Sequence, residues 1–151
     1  MMDRRIAVRL GGESVNRGRI LVVDDEEDIL TTVRHVLELN GFDVLLARDG
    51  AEALAVAKRE SPDLIILDVM LPGQNGYEIS RILKDEIEKG SIHGDIKIII
   101  LTARKLDSRE REEFISAWAK ADEYLYKPFK MEELIETIET LLGLKPAHAR
   151  A

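Results

Sequence analysis

The run Leu64–Leu67, which is followed directly by Asp68, constrains the fold of this chain more than any other stretch. It consists of four aliphatic residues without a polar break, a pattern typical of a strand covered on both faces in a parallel sheet. The next residues, 69–76, contain Pro and Gly and interrupt regular structure. In an open parallel sheet, ligands bind beyond the carboxyl ends of the strands. Asp68 is therefore either a functional carboxylate at that edge or a residue that only caps a turn.

Similar apolar segments alternate with helical patterns along the rest of the chain. The predicted strands are Arg19–Val23, Asp43–Ala47, Leu64–Asp68, Ile96–Leu101 and Glu123–Tyr126. The spacing of apolar residues predicts helices that include Ile29–Leu37, Gly50–Glu60, Tyr77–Lys89, Phe114–Trp118 and Met131–Leu142. Strands that alternate with helices in this way predict an α/β fold, in which a doubly wound, five-stranded parallel sheet carries helices on both faces.

The composition excludes several classes of protein. The chain has 151 residues, which is typical of one domain, and its net charge of -7 argues against direct nucleic-acid binding by this domain. It contains no Cys, which excludes disulfides and fits a cytoplasmic location. No apolar stretch approaches the roughly 18 residues that cross a membrane. We expect a folded domain over residues 19–142, a flexible N-terminal extension over residues 1–18 and a tail over residues 143–151.

Polar side chains collect at the carboxyl ends of the predicted strands. They are Asp24 and Asp25 after the first strand, Asp68 on the third, Thr102 after the fourth and Lys127 after the fifth. Three converging carboxylates repel one another unless a cation is bound, and Mg²⁺ accepts such ligands together with phosphate oxygens. A Lys and a Thr hydroxyl are good donors to a phosphoryl group. The set therefore favours phosphoryl transfer to a carboxylate, although each residue alone is equally typical of a turn or a solvated surface.

Four motifs in this order resemble the receiver domain of bacterial two-component response regulators, including the chemotaxis regulators. The resemblance covers about residues 19–142 and rests on Asp24-Asp25, the loop 68–73, Thr102-Ala103 and the segment 124–129. It implies a flavodoxin-like fold with strand order 2-1-3-4-5 and five helices. It also implies a phosphorelay function, in which Asp68 accepts a phosphoryl group from a phosphohistidine of a sensor histidine kinase or a phosphotransfer protein.

The resemblance assigns a role to each of the residues around the acceptor. Asp25, Asp68 and the backbone carbonyl of Met70 would bind Mg²⁺ directly, and Asp24 would act mainly through water. Lys127 would pair with the phosphoryl oxygens, and its bond to Pro128 is a candidate cis peptide.

Two further residues are implied to form the switch. Thr102, followed by Ala103, would move toward the phosphoryl group, and Tyr124 would then move inward. This shift would alter the face made by the fourth helix, fifth strand and fifth helix. That face would dock on a downstream protein or a missing output domain, and the chain would be a monomer or a weak dimer through it.

Other functions remain open from the sequence. An Asp-nucleophile phosphatase of the haloacid-dehalogenase-like class would carry a second Asp two positions after the first, where this chain has Met70. A phosphorylation-independent interaction module would not need the intact Asp, Thr and Lys positions. The resemblance therefore favours a signalling switch that promotes only its own phosphorylation and dephosphorylation. The chain is expected to be either a stand-alone receiver or a fragment of a longer regulator.

Three further features of the sequence each lead to a structural prediction. Lys120 stands where the family usually has Gly, so we expect either a left-handed backbone there or a different end to the fourth helix. The segment 84–96 is longer than is typical of the family and contains two Gly residues, which predicts a mobile loop. Phe114 and Trp118 lie four residues apart and are interpreted as part of a core stripe rather than as a ligand-stacking pair.

Overall fold

The strands follow the alternation of the sequence, with two short antiparallel pairs in addition. The computed structural model describes residues 8–10, 13–103 and 109–146. The first antiparallel pair is formed by β1 (Val8–Leu10) and β2 (Glu13–Val15). The next strands are β3 (Arg19–Val23), β4 (Asp43–Ala47) and β5 (Leu64–Asp68). The second antiparallel pair, β6 (Met70–Leu71) and β7 (Gln74–Asn75), precedes β8 (Lys97–Thr102) and β9 (Glu123–Tyr126).

The main sheet is five-stranded and parallel, in the order β4-β3-β5-β8-β9. If its strands are numbered along the chain, this order is 2-1-3-4-5. The predicted flavodoxin-like fold is therefore confirmed. The fourth strand of the sheet is displaced by one residue from its predicted position: it runs from Lys97 to Thr102, whereas the predicted strand runs from Ile96 to Leu101.

Five helices cover the two faces of the sheet. They are α1 (Glu27–Leu39), α2 (Gly50–Glu60), α3 (Gly76–Lys89), α4 (Arg109–Ala119) and α5 (Met131–Leu142). Polar caps explain two of the starts: Asp49 accepts a hydrogen bond from the amide of Glu52 in α2, and Asn75 forms a reciprocal capping box with Glu78 in α3. The starts of α2 and α3 are thus determined by polar side chains that lie next to them in the chain.

The hydrophobic core has two layers, one on each face of the sheet. One layer contains buried residues of α1 and α5, and the other contains buried residues of α2 and α3 together with Ala119 at the end of α4. Strand β5 contributes to both, since Leu64 and Ile66 pack in the first layer and Ile65 and Leu67 in the second. Burying side chains on alternate faces in this way requires an uninterrupted aliphatic run, as the sequence predicts.

The interpretation of Phe114 and Trp118 as a core stripe is wrong. Phe114 is 67% exposed and Trp118 is 37% exposed. Ala119 is the buried residue among the described side chains of α4, and polar contacts hold the helix in place: Ser80 donates to the carbonyl of Ala119 at 2.7 Å. The guanidinium of Arg81 lies over the Trp118 ring, 5.3 Å from its centre. A small residue and hydrogen bonds therefore replace the aromatic burial that the spacing indicates.

The backbone at Lys120 is left-handed, with φ of 60°, as one of the two expectations for this position states. Its ammonium group lies 2.9 Å from a carboxylate oxygen of Asp85 and 3.2 Å from one of Glu88, and both residues are in α3. In the segment predicted to be a mobile loop, Ile92 and Ile96 are each 1% exposed. The mobility of this loop stays a prediction. Within the loop, Ile92 packs in the hydrophobic core.

Residues at both ends of the predicted domain contact its core. The Arg17 side chain donates to the carbonyl of Asn40 at 2.9 Å and to Glu139 at 3.0 Å, and it lies over the Phe42 ring. The amide of Leu144 donates to the carbonyl of Glu139 at 2.8 Å. The predicted flexibility of residues 1–18 stays a prediction, although β1, β2 and Arg17 lie within them. None of the helices in the described ranges has both the length and the apolar character needed to cross a bilayer.

Candidate functional site

The parallel sheet brings the predicted site residues to one edge. Asp68 is the last residue of β5 and Thr102 the last of β8, while Asp24 follows β3 and Lys127 follows β9. Register places Asp68 beside Leu101, and Thr102 beside the last residue of β9. Because all of these strands run in the same direction, their carboxyl ends must meet at this edge.

Asp68 is a buried acid of the site, with 3% of its surface exposed. Its Oδ1 accepts a hydrogen bond from the amide of Met70 at 2.9 Å, and its Oδ2 accepts one from Lys127 Nζ at 3.0 Å. The amide of Lys127 donates to the carbonyl of Thr102 at 2.7 Å, and the bond between Lys127 and Pro128 is cis. The ammonium group partly balances a carboxylate that is otherwise shielded from water, and this suits a nucleophile that acquires further negative charge.

Asp24 is buried beside Asp68 with one oxygen unpaired. Its Oδ1 accepts from the amide of Glu26 at 2.9 Å, whereas its Oδ2 is buried and has no hydrogen-bond partner among the described residues. Burial raises the pKa of Asp24 to about 7, the amide of Glu26 opposes this rise, and the nearby Asp68 carboxylate adds to it. An orphaned carboxylate oxygen of this kind is what a bound cation would satisfy.

Three carboxylates of this edge could share a metal ion. One oxygen each from Asp24, Glu26 and Asp68 lies within 4.8 Å of the others. This set fits Mg²⁺, which binds oxygen ligands and commonly takes one or two carboxylates together with water and phosphate. Sequence reasoning missed Glu26, because a carboxylate before a helix is also expected as a favourable charge at the helix start.

Asp25 occupies a different place from the one expected of a direct metal ligand. Its side chain is exposed and lines an open cleft of about 800 Å³, together with Glu26 and the loop 69–75. It does not belong to the group of three converging carboxylates among the described residues. Direct coordination by Asp25 therefore stays a prediction.

A close backbone approach fixes the loop after Asp68. The amide of Gly76 donates to the carbonyl of Val69 at 2.8 Å, and a Cβ at Gly76 would lie 2.5 Å from the carbonyl oxygen of Asp68. Only Gly can occupy this position without moving the backbone of the acceptor residue. Met70, whose carbonyl is an expected metal ligand, has a side chain that is 76% exposed at the cleft.

The two expected switch residues, Thr102 and Tyr124, both lie next to Tyr77. Thr102 is 6% exposed, and its Oγ1 lies 3.2 Å from the hydroxyl oxygen of Tyr77. Tyr124 is half-buried and donates to the carbonyl of Ser116 at 2.7 Å, and burial raises its pKa. The Tyr77 and Tyr124 ring centres are 6.4 Å apart.

Ala103 and Tyr77 are the remaining residues to be placed relative to Thr102. Ala103, exposed, is the last residue described before the gap at 104–108. Tyr77 is in contact with Thr102, and sequence reasoning treated it only as the start of a helix. The position of Tyr77 after the loop 69–76 does not indicate a contact with Thr102 at the end of β8, because Tyr77 and Thr102 are 25 residues apart in the chain.

Comparison with known proteins shows which family and which solved structures the chain is similar to. A family model described as the response regulator receiver domain matches residues 20–139. The response regulator MprA of Mycobacterium leprae is 43% identical over 124 residues, which are 82% of this chain and 50% of that protein. The chain thus spans about half the length of the curated relatives it matches.

Two solved structures illustrate the similarity. A CheY-like response regulator receiver domain protein from Methanospirillum hungatei JF-1 is 31% identical, with a TM-score of 0.71, over 83% of this chain and 93% of that chain. The receiver domain of the sensor histidine kinase PA1611 from Pseudomonas aeruginosa PAO1 is 32% identical, with a TM-score of 0.69, over 83% of this chain and 98% of that chain. The latter structure has a magnesium ion coordinated in its active-site cleft.

Proposed function

The chain belongs to the family of response regulator receiver domains, and from this premise we propose that Asp68 is a phosphoacceptor in a two-component phosphorelay. The observation that carries the proposal is the salt bridge of 3.0 Å between Asp68 Oδ2 and Lys127 Nζ, next to Asp24 Oδ2, which has no hydrogen-bond partner among the residues that the structure describes. A buried nucleophile, a cation beside it and an unsatisfied carboxylate at one sheet edge support phosphoryl transfer.

The chemistry that we propose transfers one phosphoryl group. A carboxylate oxygen of Asp68 attacks the phosphorus of a phosphohistidine, the phosphorus–nitrogen bond breaks, and the electron pair stays on the imidazole, which takes up a proton. The product is an acyl phosphate on Asp68. Lys127 would keep its contact with this edge and neutralise phosphoryl charge. The donor would be a sensor histidine kinase or a phosphotransfer protein.

Mg²⁺ is the cofactor of this proposal. Asp24 and Asp68, with Glu26 or Asp25 and the carbonyl of Met70, would hold it. When bound, the ion offsets negative charge among the acids and on the transferred group. The support from this chain is the donor set itself, which contains only hard oxygen ligands, one of them a buried oxygen that has no hydrogen-bond partner within the described part of the chain.

The consequence of phosphorylation would be a change in a surface. Thr102 would move toward the phosphoryl group, with Tyr124 following, and the face made by α4, β9 and α5 would change. This face would dock on a downstream protein or on a further domain, as a monomer or a weak dimer. A cytoplasmic location and a role as a switch rather than an enzyme with a separate substrate are parts of the same proposal.

The test is intact-mass measurement after incubation with Mg²⁺ and a small acyl-phosphate donor. We expect the wild-type chain to gain one phosphoryl group and Asp68→Asn to gain none, and we expect a chelator to abolish the gain. Asp95→Asn is the matched control, because Asp95 has a side chain that is 87% exposed and lies outside the site; it should be labelled like the wild type.

Two outcomes would contradict the proposal. An unlabelled wild-type chain that also fails to bind beryllofluoride with Mg²⁺ would favour the phosphorylation-independent interaction module. A label that persists in Asp68→Asn would place the acceptor elsewhere.

A further inference from the structure

The hydroxyl of Tyr77 is in a position to control the movement of Thr102. The two hydroxyl oxygens are 3.2 Å apart, and either can be the donor. Among the described residues, no hydrogen bond joins the Thr102 hydroxyl to Asp68 or Lys127. The structure therefore records Thr102 engaged with Tyr77 and not with the proposed acceptor.

Tyr77 has little freedom to follow Thr102 if Thr102 moves. It lies in the first turn of α3, directly after Gly76, whose backbone is packed against that of Asp68. Its ring is partly buried against the core layer of α2 and α3 and lies beside Tyr124. Three neighbours therefore restrict the movement of the Tyr77 ring: its own helix α3, the loop after Asp68 and the half-buried Tyr124.

The chemistry of the hydroxyl makes the contact with Tyr77 and a contact with a phosphoryl group compete. A hydroxyl has one hydrogen to donate, and the oxygens of a charged phosphoryl group are acceptors. If Thr102 donates to Tyr77, that bond must break before Thr102 can donate to the phosphoryl group. If Tyr77 donates instead, the movement of Thr102 toward the phosphoryl group that the proposed switch requires would lengthen or break the contact with Tyr77.

We propose that Tyr77 is a positioning residue that holds Thr102 in its unphosphorylated arrangement through this hydroxyl contact. The proposal rests on the proposed function, since it assumes that Asp68 receives the phosphoryl group. It goes further by assigning to Tyr77 a restraint that sets how readily the switch responds. Losing one neutral hydrogen bond corresponds to roughly a 2- to 10-fold change in an equilibrium constant.

The experiment measures beryllofluoride affinity in the presence of saturating Mg²⁺, by calorimetry, for the wild type and for Tyr77→Phe. The substitution keeps the ring and removes the hydroxyl, so the variant should bind beryllofluoride about 2- to 10-fold more tightly. The affinity for Mg²⁺ alone should not change, because the converging carboxylates do not include Tyr77. Urea unfolding of both proteins checks that the variant is folded.

Two controls separate this role from a merely structural one. Ser91→Ala removes a hydroxyl that donates to the carbonyl of Glu86 at 3.1 Å, beyond the end of α3 and away from the candidate site, and should leave beryllofluoride affinity unchanged. In a Thr102→Ala background, Tyr77→Phe should lose its effect, because the competing hydroxyl is absent. A structural role of Tyr77 would change stability in both backgrounds and would not depend on Thr102.

The outcomes distinguish this proposal from the proposed function. If the wild type binds beryllofluoride but Tyr77→Phe binds it equally or more weakly, the restraint is overturned and the phosphoacceptor function stands. If the wild type neither binds beryllofluoride nor gains a phosphoryl group, both are overturned. A crystal structure of the wild-type complex with Mg²⁺ and beryllofluoride gives an independent measurement: the Tyr77–Thr102 contact should be broken, and an intact contact would overturn the restraint.

Discussion

At the scale of single residues, the buried carboxylate of Asp24 opposes folding in the absence of metal. Its Oδ2 has no partner among the described residues, and Asp68 lies beside it. A carboxyl group whose pKa is higher in the folded than in the unfolded chain stabilises the fold at low pH, and this contribution is lost as the pH rises. For Asp24 the loss extends from about pH 4 to about pH 7, since its pKa rises from 3.8 to about 7.

We therefore expect Asp24→Asn to stabilise the metal-free protein increasingly as the pH rises through this interval. The gain over the wild type should be small near pH 4 and reach up to about 4 kcal/mol above pH 7. Urea unfolding in a chelator at a series of pH values measures it. A difference between the two proteins that does not vary with pH would show that Asp24 is not protonated in the folded wild type at neutral pH.

At the scale of elements, a buried ion cluster joins two strands and a helix at the end of the sheet opposite the candidate site. Arg19, at the start of β3, lies 3.2 Å from Asp43 of β4 and 2.9 Å from Glu60 of α2, and all three are buried. Its backbone amide also donates to Asp63 at 2.8 Å. Arg19 thus ties the edge strand and α2 to the centre of the sheet.

Removing Arg19 should be costly, because the buried Asp43 would lose the guanidinium paired with it and Glu60 would keep its contact with Arg59 but lose the one with Arg19. We expect Arg19→Ala to lower the free energy of unfolding by about 3–5 kcal/mol. The control is Arg34→Ala, which removes the partner of Glu38 on the surface of α1, where the side chains are 52% and 40% exposed. That change should cost less than about 1 kcal/mol. If denaturant unfolding gave equal losses of unfolding free energy for Arg19→Ala and Arg34→Ala, the idea that burial makes the Arg19 pairs important would be contradicted.

At the scale of the whole molecule, the candidate site couples metal binding to stability. The carboxylates lie at the ends of two adjacent strands, β3 and the central β5, which are separated in the chain by α1, β4 and α2, so they converge only in the folded chain. A ligand that binds only the folded state stabilises it by mass action, by about 2.7 kcal/mol at a concentration 100 times the dissociation constant.

Mg²⁺ should therefore raise the midpoint of thermal unfolding of the wild type. The increase should be much smaller for Asp68→Asn, which loses one of the three converging carboxylates, and should persist in Asp95→Asn. Thermal unfolding followed by circular dichroism, with the Mg²⁺ concentration varied, measures the effect. A wild-type midpoint that stays constant at every Mg²⁺ concentration would argue against a metal site at this edge.

The sequence by itself determined the sheet and the location of its chemistry. Aliphatic runs such as Leu64–Leu67 specify buried parallel strands, and their alternation with helices leaves few connections. Parallel strands end at one edge, so Asp24, Asp68, Thr102 and Lys127 had to be neighbours there. The order of the strands in the sheet was predicted from the resemblance to receiver domains, because the spacing of residues along the chain does not determine it.

The tertiary structure alone decided which side chains touch. Tyr77 contacts Thr102, Glu26 converges with Asp24 and Asp68, and Phe114 is exposed on α4, where Ala119 is buried. The physical reason is that periodicity gives the face of an element but not its partner. A contact between residues distant in the chain depends on how helices pack on the sheet, to within a few ångströms, and a local pattern carries no information at that precision.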